Sequence, residues 1–289
     1  MFGKRIVHCS FCSRDYPFHE GIVNFVQTLS NDLKLSHSKW SSLYRSQRQA
    51  AQLLRDYTVY KREYFPLIYD QINEVTSFRD KVYLEIGCGP FYFGQLVAKE
   101  CKIIIGVDIS REALTIARRM LEKNKITNYL LIQADILQLP ITDDTVDIIF
   151  GGGVIEHFKD TRKCLDELYR VLRKRGTSFN TVPMLNIGSL TYRQVWGNIP
   201  NAPLLKQIAE FIHIKLLQGK HMRFGYELSF LPSTMARLHR AVGFRRVTID
   251  NFRIKLVFEF APRVLRPFLI KIATDVSLFW PMIKVIGTK

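Results

Sequence analysis

Residues 82–90, which read Val-Tyr-Leu-Glu-Ile-Gly-Cys-Gly-Pro, constrain the fold of this chain more than any other stretch. The first five form an apolar run with the length and the β-branched character typical of a buried strand. The two glycines that follow allow the backbone to turn sharply and to lie close to a bound molecule. Phe93, Leu96 and Val97 come next at helical spacing and are expected to face a core. A strand, a glycine turn and a helix predict a nucleotide-type pocket at the carboxyl end of a parallel strand.

Strand-like and helix-like patterns alternate through most of the chain after this point. Alternation of this kind predicts an α/β fold with a doubly wound parallel sheet. The predicted strands are 82–86, 103–108, 129–134, 146–150, 178–182, 246–249 and 282–287, and the predicted helices are 95–99, 113–123, 162–173, 204–217 and 232–241. Ser110 is the predicted N-cap of the helix 113–123, because its hydroxyl can accept a hydrogen bond from the first turn.

Residues 85–89, Glu-Ile-Gly-Cys-Gly, resemble the first motif of the class I methyltransferases that depend on S-adenosylmethionine (SAM). A second match at 103–108 ends in a carboxylate that can accept the hydroxyls of a ribose. Further matches are the adenine-contacting loop at 134–140, the fourth strand at 147–150, and the helix and turn before the fifth strand at 167–176. The resemblance implies a Rossmann-like, mostly parallel sheet of seven strands with an antiparallel last strand. A dinucleotide-binding dehydrogenase would also show a glycine turn, but the three further matches favour the methyltransferase.

The same resemblance places the SAM-binding Rossmann-like core at residues 79–185 and implies which residues hold the cofactor. They are Glu85, Gly87, Cys88, Gly89, Asp108, Ile109, Asp135, Ile136 and Gly151. The family often has a third glycine in the turn. Phe91 stands in that position here, and its ring would narrow the methionine end of the pocket.

Three glycines at 151–153 precede Glu156 and His157, a pair that resembles the Glu-His of quinone-biosynthesis O-methyltransferases and other small-molecule methyltransferases. The glycines keep the backbone open where the transferable methyl group is expected. His157 is the candidate general base toward an acceptor hydroxyl, because imidazole titrates near neutral pH. In the alternative it only hydrogen-bonds the following turn. Certain members of the group bind a metal through a glutamate three positions before the pair. Since Gly153 stands there, no metal site is predicted.

Residues 186–228 are predicted to be a helical insertion on the acceptor side, where the resembling enzymes place acceptor-binding residues. The helix 204–217 within it is apolar and has few charges. The candidate acceptor-binding residues are His213, His221, Arg223 and Tyr226.

Residues 1–28 resemble the second half of a small zinc-ribbon module. The resemblance lies in Cys9-x-x-Cys12, a Tyr-Pro pair that begins at Tyr16, and a Gly-Ile pair followed by Phe25. Tetrahedral zinc needs four ligands and the segment has one cysteine pair. The alternative to structural zinc is therefore a metal-free remnant that packs Tyr16 and Phe25 on the main domain.

Residues 29–78 are predicted to form a helical lid region, because SAM enzymes of this shape often cover the cofactor with a helix before the first strand. Tyr57, Tyr60 or Tyr64 would face the cofactor in such a lid. The alternative is simple packing with the hydroxyls at the surface. Pro66 is expected to kink or interrupt the helical pattern.

Charge is distributed unevenly along the chain. Residues 1–161 contain 20 Lys or Arg and 19 Asp or Glu, whereas residues 162–289 contain 22 and 7. This asymmetry indicates an anionic partner, which would be a phosphorylated substrate, a nucleic acid or an acidic membrane face. A solvated basic surface that aids solubility is the alternative.

Residues 229–289 are predicted to complete the core and to include an amphipathic helix at 264–280. Its apolar side chains fall on one helical face, and Arg263, Arg266 and Lys271 surround them. Such a helix would rest on an acidic membrane surface or gate a lipid-like acceptor. In the alternative it is a core helix that packs on the insertion.

These features predict a SAM-dependent methyltransferase that modifies an oxygen or nitrogen atom of a small or lipid-like, anionic metabolite. Five dispersed cysteines and the lack of a signal-peptide pattern predict a cytoplasmic location, at the membrane periphery if the amphipathic helix binds lipid. One alternative is an RNA-directed enzyme that uses the basic half. The Asn/Asp-Pro-Pro-aromatic tetrapeptide common in enzymes that methylate base amines is absent from the sequence. The other alternative is a SAM-fold scaffold without catalysis.

Overall fold

A parallel sheet forms the centre of the molecule in the computed structural model, which describes residues 5–9, 12–26, 31–46, 58, 61–185, 198–220, 222, 225–252, 258 and 261–289. Its parallel strands are β4 (Val82–Ile86), β5 (Ile103–Asp108), β6 (Tyr129–Gln133), β7 (Val146–Gly152) and β8 (Leu172–Pro183). β11 (Arg245–Phe252) and the antiparallel β12 (Met282–Thr288) complete this part of the sheet. The strand order β6-β5-β4-β7-β8-β12-β11 confirms the Rossmann-like, mostly parallel sheet.

Three further strands extend the sheet beyond the seven predicted, so that it has ten strands in the described part of the chain. They are β1 (Arg5–His8), β2 (Asp15–His19) and β3 (Ile22–Asn24), and β3 pairs in parallel with β6. Ile22 and Val23 are buried, because β3 covers the apolar edge that β6 would otherwise expose to water. The segment that resembles half of a zinc ribbon is therefore continuous with the main sheet. Tyr16 and Phe25 pack on each other with ring centroids 4.3 Å apart.

Helices cover both faces of the sheet. In chain order they are α1 (Asn31–Arg45), α2 (Phe65–Asn73), α3 (Tyr92–Val97), α4 (Arg111–Lys123), α5 (Thr161–Val171), α6 (Pro203–Glu210), α7 (Pro232–Val242) and α8 (Arg266–Asp275). One apolar core lies under α5 and α7, and a second lies under α2, α3 and α4. Ser110 caps α4 as predicted, with its hydroxyl accepting a hydrogen bond from the Ala113 amide at 3.3 Å.

The local predictions around α2 and α3 have different outcomes. The helix predicted at 95–99 begins at Tyr92, because Phe91 adopts a left-handed conformation that turns the chain directly into α3. Phe93 and Val97 face the core, but Leu96 is half exposed. Pro66 interrupts the helical pattern, as predicted: a turn at Tyr64 follows the helical residues 61–63, and α2 then begins with Pro66 in its first turn, where proline costs no hydrogen bond.

The carboxyl ends of the parallel strands define one edge of the sheet, and the long connections gather there. The insertion after β8 returns through β9 (Ile199–Pro200) and β10 (Leu228–Ser229), which pair in parallel. The connection that contains α8 also lies at this edge, because Met282 pairs with Pro183 at the end of β8. Among the described residues, no helix combines the length and the hydrophobicity that crossing a membrane requires.

Candidate cofactor and acceptor site

The glycine turn after β4 forms the floor of the candidate site. Gly87 and Gly89 have φ angles of 55° and 51°, in the region that favours glycine. A Cβ on Gly87 would lie 2.6 Å from a methyl group of Val154, so a larger residue does not fit. The Cys88 amide donates to the Val107 carbonyl at 3.1 Å and the Cys88 thiol is buried, which ties the turn to β5. The turn therefore presents its backbone, rather than side chains, at the edge of the sheet.

Glu85 lies beneath this turn and fixes its position. Its carboxylate accepts hydrogen bonds from the Tyr83 hydroxyl and the Gly94 amide, both at 2.8 Å. Burial raises the pKa of Glu85 to about 8, even though both hydrogen bonds favour the charged form. Its geometry is that of a positioning residue, because it holds the start of α3 against the end of β4.

Asp108 at the end of β5 has the geometry expected of a ribose-binding carboxylate. Its two oxygens accept hydrogen bonds from the amides of Gly89 and Ser110, each at 2.8 Å. Burial raises the pKa of Asp108 to about 6, so the group is mainly ionised at neutral pH. A carboxylate has about four lone-pair sites, so these amides do not use all of them and a ribose hydroxyl can also be accepted. The adjacent Ile109 carbonyl accepts a hydrogen bond from the Gln133 side chain at 3.1 Å, which fixes the loop beside the ribose position.

Asp135 follows β6 and lies next to Asp108 along the same edge. The Ala134 amide donates to the Asp108 carbonyl at 3.2 Å, which holds the two loops together. The Asp135 carboxylate accepts from the Leu137 amide at 2.9 Å and caps the short 3₁₀ turn Ile136–Gln138, while the Ile136 side chain is buried. Burial raises the pKa of Asp135. The turn gives the adenine end of the site a fixed shape.

Gly151 at the end of β7 lies opposite a residue that the sequence analysis did not identify as part of the site. Asn180 on β8 is opposite Gly151 in the register, and a Cβ on Gly151 would lie 2.5 Å from the Asn180 Oδ1 atom. The Asn180 Nδ2 donates to the Ser178 hydroxyl at 2.9 Å, whereas its buried Oδ1 has no hydrogen-bond partner among the described residues. A buried acceptor left open here fits a ligand that carries N–H donors, such as the amino group of SAM.

His157 lies in the 3₁₀ turn Ile155–His157 that follows β7. Its Nδ1 atom is 2.6 Å from the Tyr226 carbonyl, which assigns the ring proton to Nδ1 because a carbonyl can only accept. Burial lowers the pKa of His157, and this effect outweighs the backbone carbonyls of Tyr226 and Gly153, which favour the protonated ring. The imidazole is therefore neutral at pH 7, as a general base must be.

The predicted acceptor residues have different outcomes. Tyr226 is buried beside His157, and its hydroxyl donates to Glu210 at 2.6 Å. It therefore contributes its carbonyl to the site and fastens α6 with its ring oxygen. His213 is partly buried in the π-helical turn Phe211–Leu216 that continues α6. His221 and Arg223 lie outside the described residues.

The helix that approaches the cofactor site is not the one that carries the predicted tyrosines. Tyr64 does not cover the cofactor site, because its ring is buried against Phe252 with centroids 5.6 Å apart. Tyr57 and Tyr60 lie outside the described residues. α1 approaches the site instead, with the Ser41 hydroxyl 3.5 Å from the Ser110 hydroxyl and the Trp40 ring edge-on to His157 at 6.4 Å.

Phe91 fills the interior beside the glycine turn. Its ring is fully buried, and it lies so close to Gly94 that an added Cβ would be only 2.1 Å from the ring. The ring also reaches Gly106 on β5, where a Cβ would lie 3.1 Å from it. The bulk that replaces the third glycine is thus packed into the core under α3.

The structure brings residues together that are far apart in the sequence. Trp40 and Glu210 had no local signal that would connect them with the site, and Asn180 had only a weak one. A polar residue in the otherwise apolar stretch Phe179-Asn180-Thr-Val was a weak hint. Its position opposite Gly151 depends on the pairing of β7 with β8, which a motif does not specify.

Comparisons with known proteins agree with this geometry. Residues 77–184 match a family model described as a methyltransferase domain. The chain is 32% identical over 133 residues to a malonyl-[acyl-carrier protein] O-methyltransferase of Hamiltonella defensa, a match that covers 46% of this chain and 49% of the relative. It is 25% identical over 226 residues to a demethylmenaquinone methyltransferase of Alkalihalophilus pseudofirmus, covering 68% and 88%. The chain thus spans about half the length of the first of these relatives.

Among solved structures, the fold resembles that of a phosphoethanolamine N-methyltransferase of Haemonchus contortus, determined with phosphomonomethylethanolamine and S-adenosylhomocysteine. The TM-score is 0.53 at 17% sequence identity, and the match covers 75% of this chain and 51% of the other. At this identity the likeness concerns the fold alone. Residues 77–184 therefore match a methyltransferase domain, and the strand order of the sheet that they help to form is Rossmann-like.

Proposed function

We propose that the protein transfers the methyl group of SAM to an oxygen or nitrogen atom of a small or lipid-like, anionic acceptor. The observation that supports this most directly is the convergence of the glycine turn, Asp108 and Asp135 at three adjacent strand ends, with His157 after the fourth. The buried open acceptor on Asn180 beside Gly151 fits the same ligand.

The residues of the chain have separable tasks in this reaction. When bound, SAM supplies a methyl group already activated by its sulfonium. Asp108 and the glycine turn orient the cofactor, and α1 excludes water from the ribose side. His157 accepts the proton of the acceptor hydroxyl or amine as the new bond to the methyl carbon forms and the sulfonium bond breaks. Holding two reactants in line in this way can contribute roughly 7–11 kcal/mol to lowering the barrier.

The acceptor class is inferred from charge and from relatives. Residues 162–289, which carry the acceptor side of the site, contain 22 basic and 7 acidic residues. The names of two relatives refer to a malonyl group on a carrier protein and to a demethylated menaquinone. The five cysteines are all free thiols, which supports the proposal of a reducing, cytoplasmic location.

The first test is a calorimetric titration of the purified protein with SAM and with S-adenosylhomocysteine. We expect micromolar binding that weakens by roughly tenfold or more in Asp108→Ala, because the ribose loses its charged hydrogen-bond acceptor. Asp166→Ala is the matched control, since Asp166 is an exposed aspartate on α5. If the folded protein binds neither ligand, the enzymatic proposal is wrong and the scaffold alternative is favoured.

The basic residues of 162–289 also motivate a test of the alternative that the acceptor is RNA. The purified protein is incubated with SAM that is radiolabelled on its methyl group. Either total RNA or a metabolite extract is added, both prepared from one cell culture. Label in the metabolite fraction supports the proposal. Label in RNA, together with RNA binding that weakens steeply as salt is raised, would replace it.

A further inference from the structure

α6 is an amphipathic helix whose apolar face points away from the protein. Leu204, Leu205, Ile208, Phe211 and Ile212 follow the spacing of one helical face, and each is 40–70% exposed. The polar side of the helix faces the protein: the Lys206 ammonium donates to the Lys159 carbonyl at 3.3 Å, and Glu210 accepts from Tyr226 at 2.6 Å. A helix of a water-surrounded protein normally buries its apolar face, so this arrangement indicates that another phase or partner covers it.

The connection that contains α8 also exposes apolar side chains, although the inner side of this helix is apolar as well. Leu265, Phe268 and Ile272 form a stripe on α8 that is 51%, 63% and 37% exposed, and Val264 just before the helix is 89% exposed. In the described part of the chain, a small satellite core of Phe258 and Ala273, on which Leu269, Ile270 and Trp280 pack, holds the helix against the molecule. Because this core holds α8 in place, the exposed stripe is available to contact a partner.

These two segments, residues 204–217 and 264–279, are called the apolar edge below. They contain 14 of the 20 large hydrophobic side chains that are exposed in the described part of the chain. The chain next to each segment meets the end of β8: the Met184 amide donates to the carbonyl of Pro281, which follows 264–279, and the Leu185 amide donates to the carbonyl of Phe230, which follows β10. Exposed apolar residues concentrated in this way mark an interaction surface rather than ordinary scatter.

The charges at the apolar edge favour a lipid surface as the partner. Residues 198–220 and 261–281 contain six Lys or Arg against Glu210 and Asp275. Arg263, Lys271 and Lys215 are exposed beside the apolar stripes. Apolar side chains flanked by basic ones are the combination with which an interfacial helix binds an anionic bilayer, the former entering the acyl boundary and the latter contacting headgroups.

We propose that the apolar edge docks the protein on the surface of an anionic lipid bilayer, with α6 and α8 lying in the interface. The inner side of α6 contacts Tyr226, whose carbonyl holds His157. Docking therefore places the candidate acceptor site next to the lipid phase and gives lipid-like acceptors a direct route to it. The docking itself does not depend on methyl transfer, so it is tested by a measurement that leaves SAM out.

The test is co-sedimentation of the full chain with vesicles of phosphatidylcholine, alone or with roughly one third phosphatidylglycerol. We expect binding to the anionic vesicles, weaker binding to neutral ones, and a fall in affinity as salt is raised. Phe211→Ser/Phe268→Ser should lower the partition coefficient by roughly tenfold or more. Leu67→Ser/Val75→Ser, which removes two half-exposed apolar residues around α2, is the matched control.

A second pair of variants separates the contribution of the basic residues to vesicle binding from that of the apolar residues. Arg263→Glu/Lys271→Glu should weaken binding to anionic vesicles only, whereas Lys99→Glu/Lys102→Glu, at the opposite edge of the sheet, should not. Failure of the folded protein to bind either vesicle would overturn the proposal. It would also be overturned if sedimentation velocity showed a dimer that Phe211→Ser/Phe268→Ser converts to a monomer, because the apolar edge would then be an interface between two copies.

Discussion

At the scale of single residues, the site is built from groups whose ionisation is set by burial. Glu85 and Asp108 are buried carboxylates with raised pKa values, and His157 is a buried imidazole with a lowered one. Each change favours the neutral form, since a low-dielectric surrounding penalises charge. For His157 this has a direct functional consequence, because a neutral ring is the reactive form of a base.

Replacement of His157 by Asn should leave SAM binding near the wild-type value and reduce kcat by roughly 10²–10⁴-fold. The wild-type kcat should fall on the acid side with a midpoint below pH 6.5, because the base works only when unprotonated and burial lowers the pKa of His157. The measurement is the pH profile of kcat for both proteins. A full-rate His157→Asn variant would show that the residue only orders the turn.

Phe91 and Gly94 form a pair in which each residue determines what the other can be. Glycine inside a helix normally costs about 0.5–1 kcal/mol relative to alanine, so Gly→Ala usually stabilises. Here Gly94→Ala should destabilise by about 1–3 kcal/mol, because the new methyl group would overlap the Phe91 ring. Urea denaturation of both single variants and the double variant with Phe91→Leu tests this.

In that cycle, the cost of Gly94→Ala should be smaller in the Phe91→Leu background, where the ring is gone. Equal costs in both backgrounds would mean that the ring does not set the requirement for glycine.

At the scale of elements, the N-terminal strands resemble one kind of module by their sequence motif but belong to the main sheet by their packing. Its residues resemble half of a zinc ribbon, yet β3 pairs with β6 and buries Ile22 in the second core. Among the described residues, no group of three or more His, Cys, Asp or Glu side chains could hold a metal ion. Ile22 pairs with Leu131, which lies 109 positions later in the chain, and pairing over that distance is not encoded in a short motif.

This assignment predicts that Ile22→Ala lowers the free energy of unfolding by about 2–5 kcal/mol, because it leaves a cavity in a fully buried position. Ile6→Ala on the edge strand β1 is the control, since Ile6 is 64% exposed and should change stability little. Both are measured by denaturant unfolding of the full chain. Equal, small effects would show that the N-terminal strands are a loose appendage.

At the scale of the whole molecule, function is concentrated at one edge. The carboxyl ends of the parallel strands carry the candidate cofactor residues, and the insertion and the α8 connection extend from the same edge. The excess of basic residues in the second half of the sequence is shared between these additions and the rest of that half: residues 186–228 and 253–281 together carry 10 of its 22 Lys or Arg. The amphipathic helix predicted at 264–280 is shorter in the structure, and its apolar face is exposed rather than packed in the core.

The sequence alone determined the central architecture, because local patterns encode it. Period-two and period-3.6 hydrophobicity, the paired glycines and the carboxylates at strand ends act over a few residues, and the strands and most helices lie where these patterns predict. The tertiary structure decided what depends on distant neighbours. The position of the His157 ring proton depends on the Tyr226 carbonyl, the surroundings of Gly151 depend on Asn180, and the exposure of α6 depends on which of its faces meets the core. These are contacts between residues far apart in the chain, and they are fixed by packing rather than by local propensity.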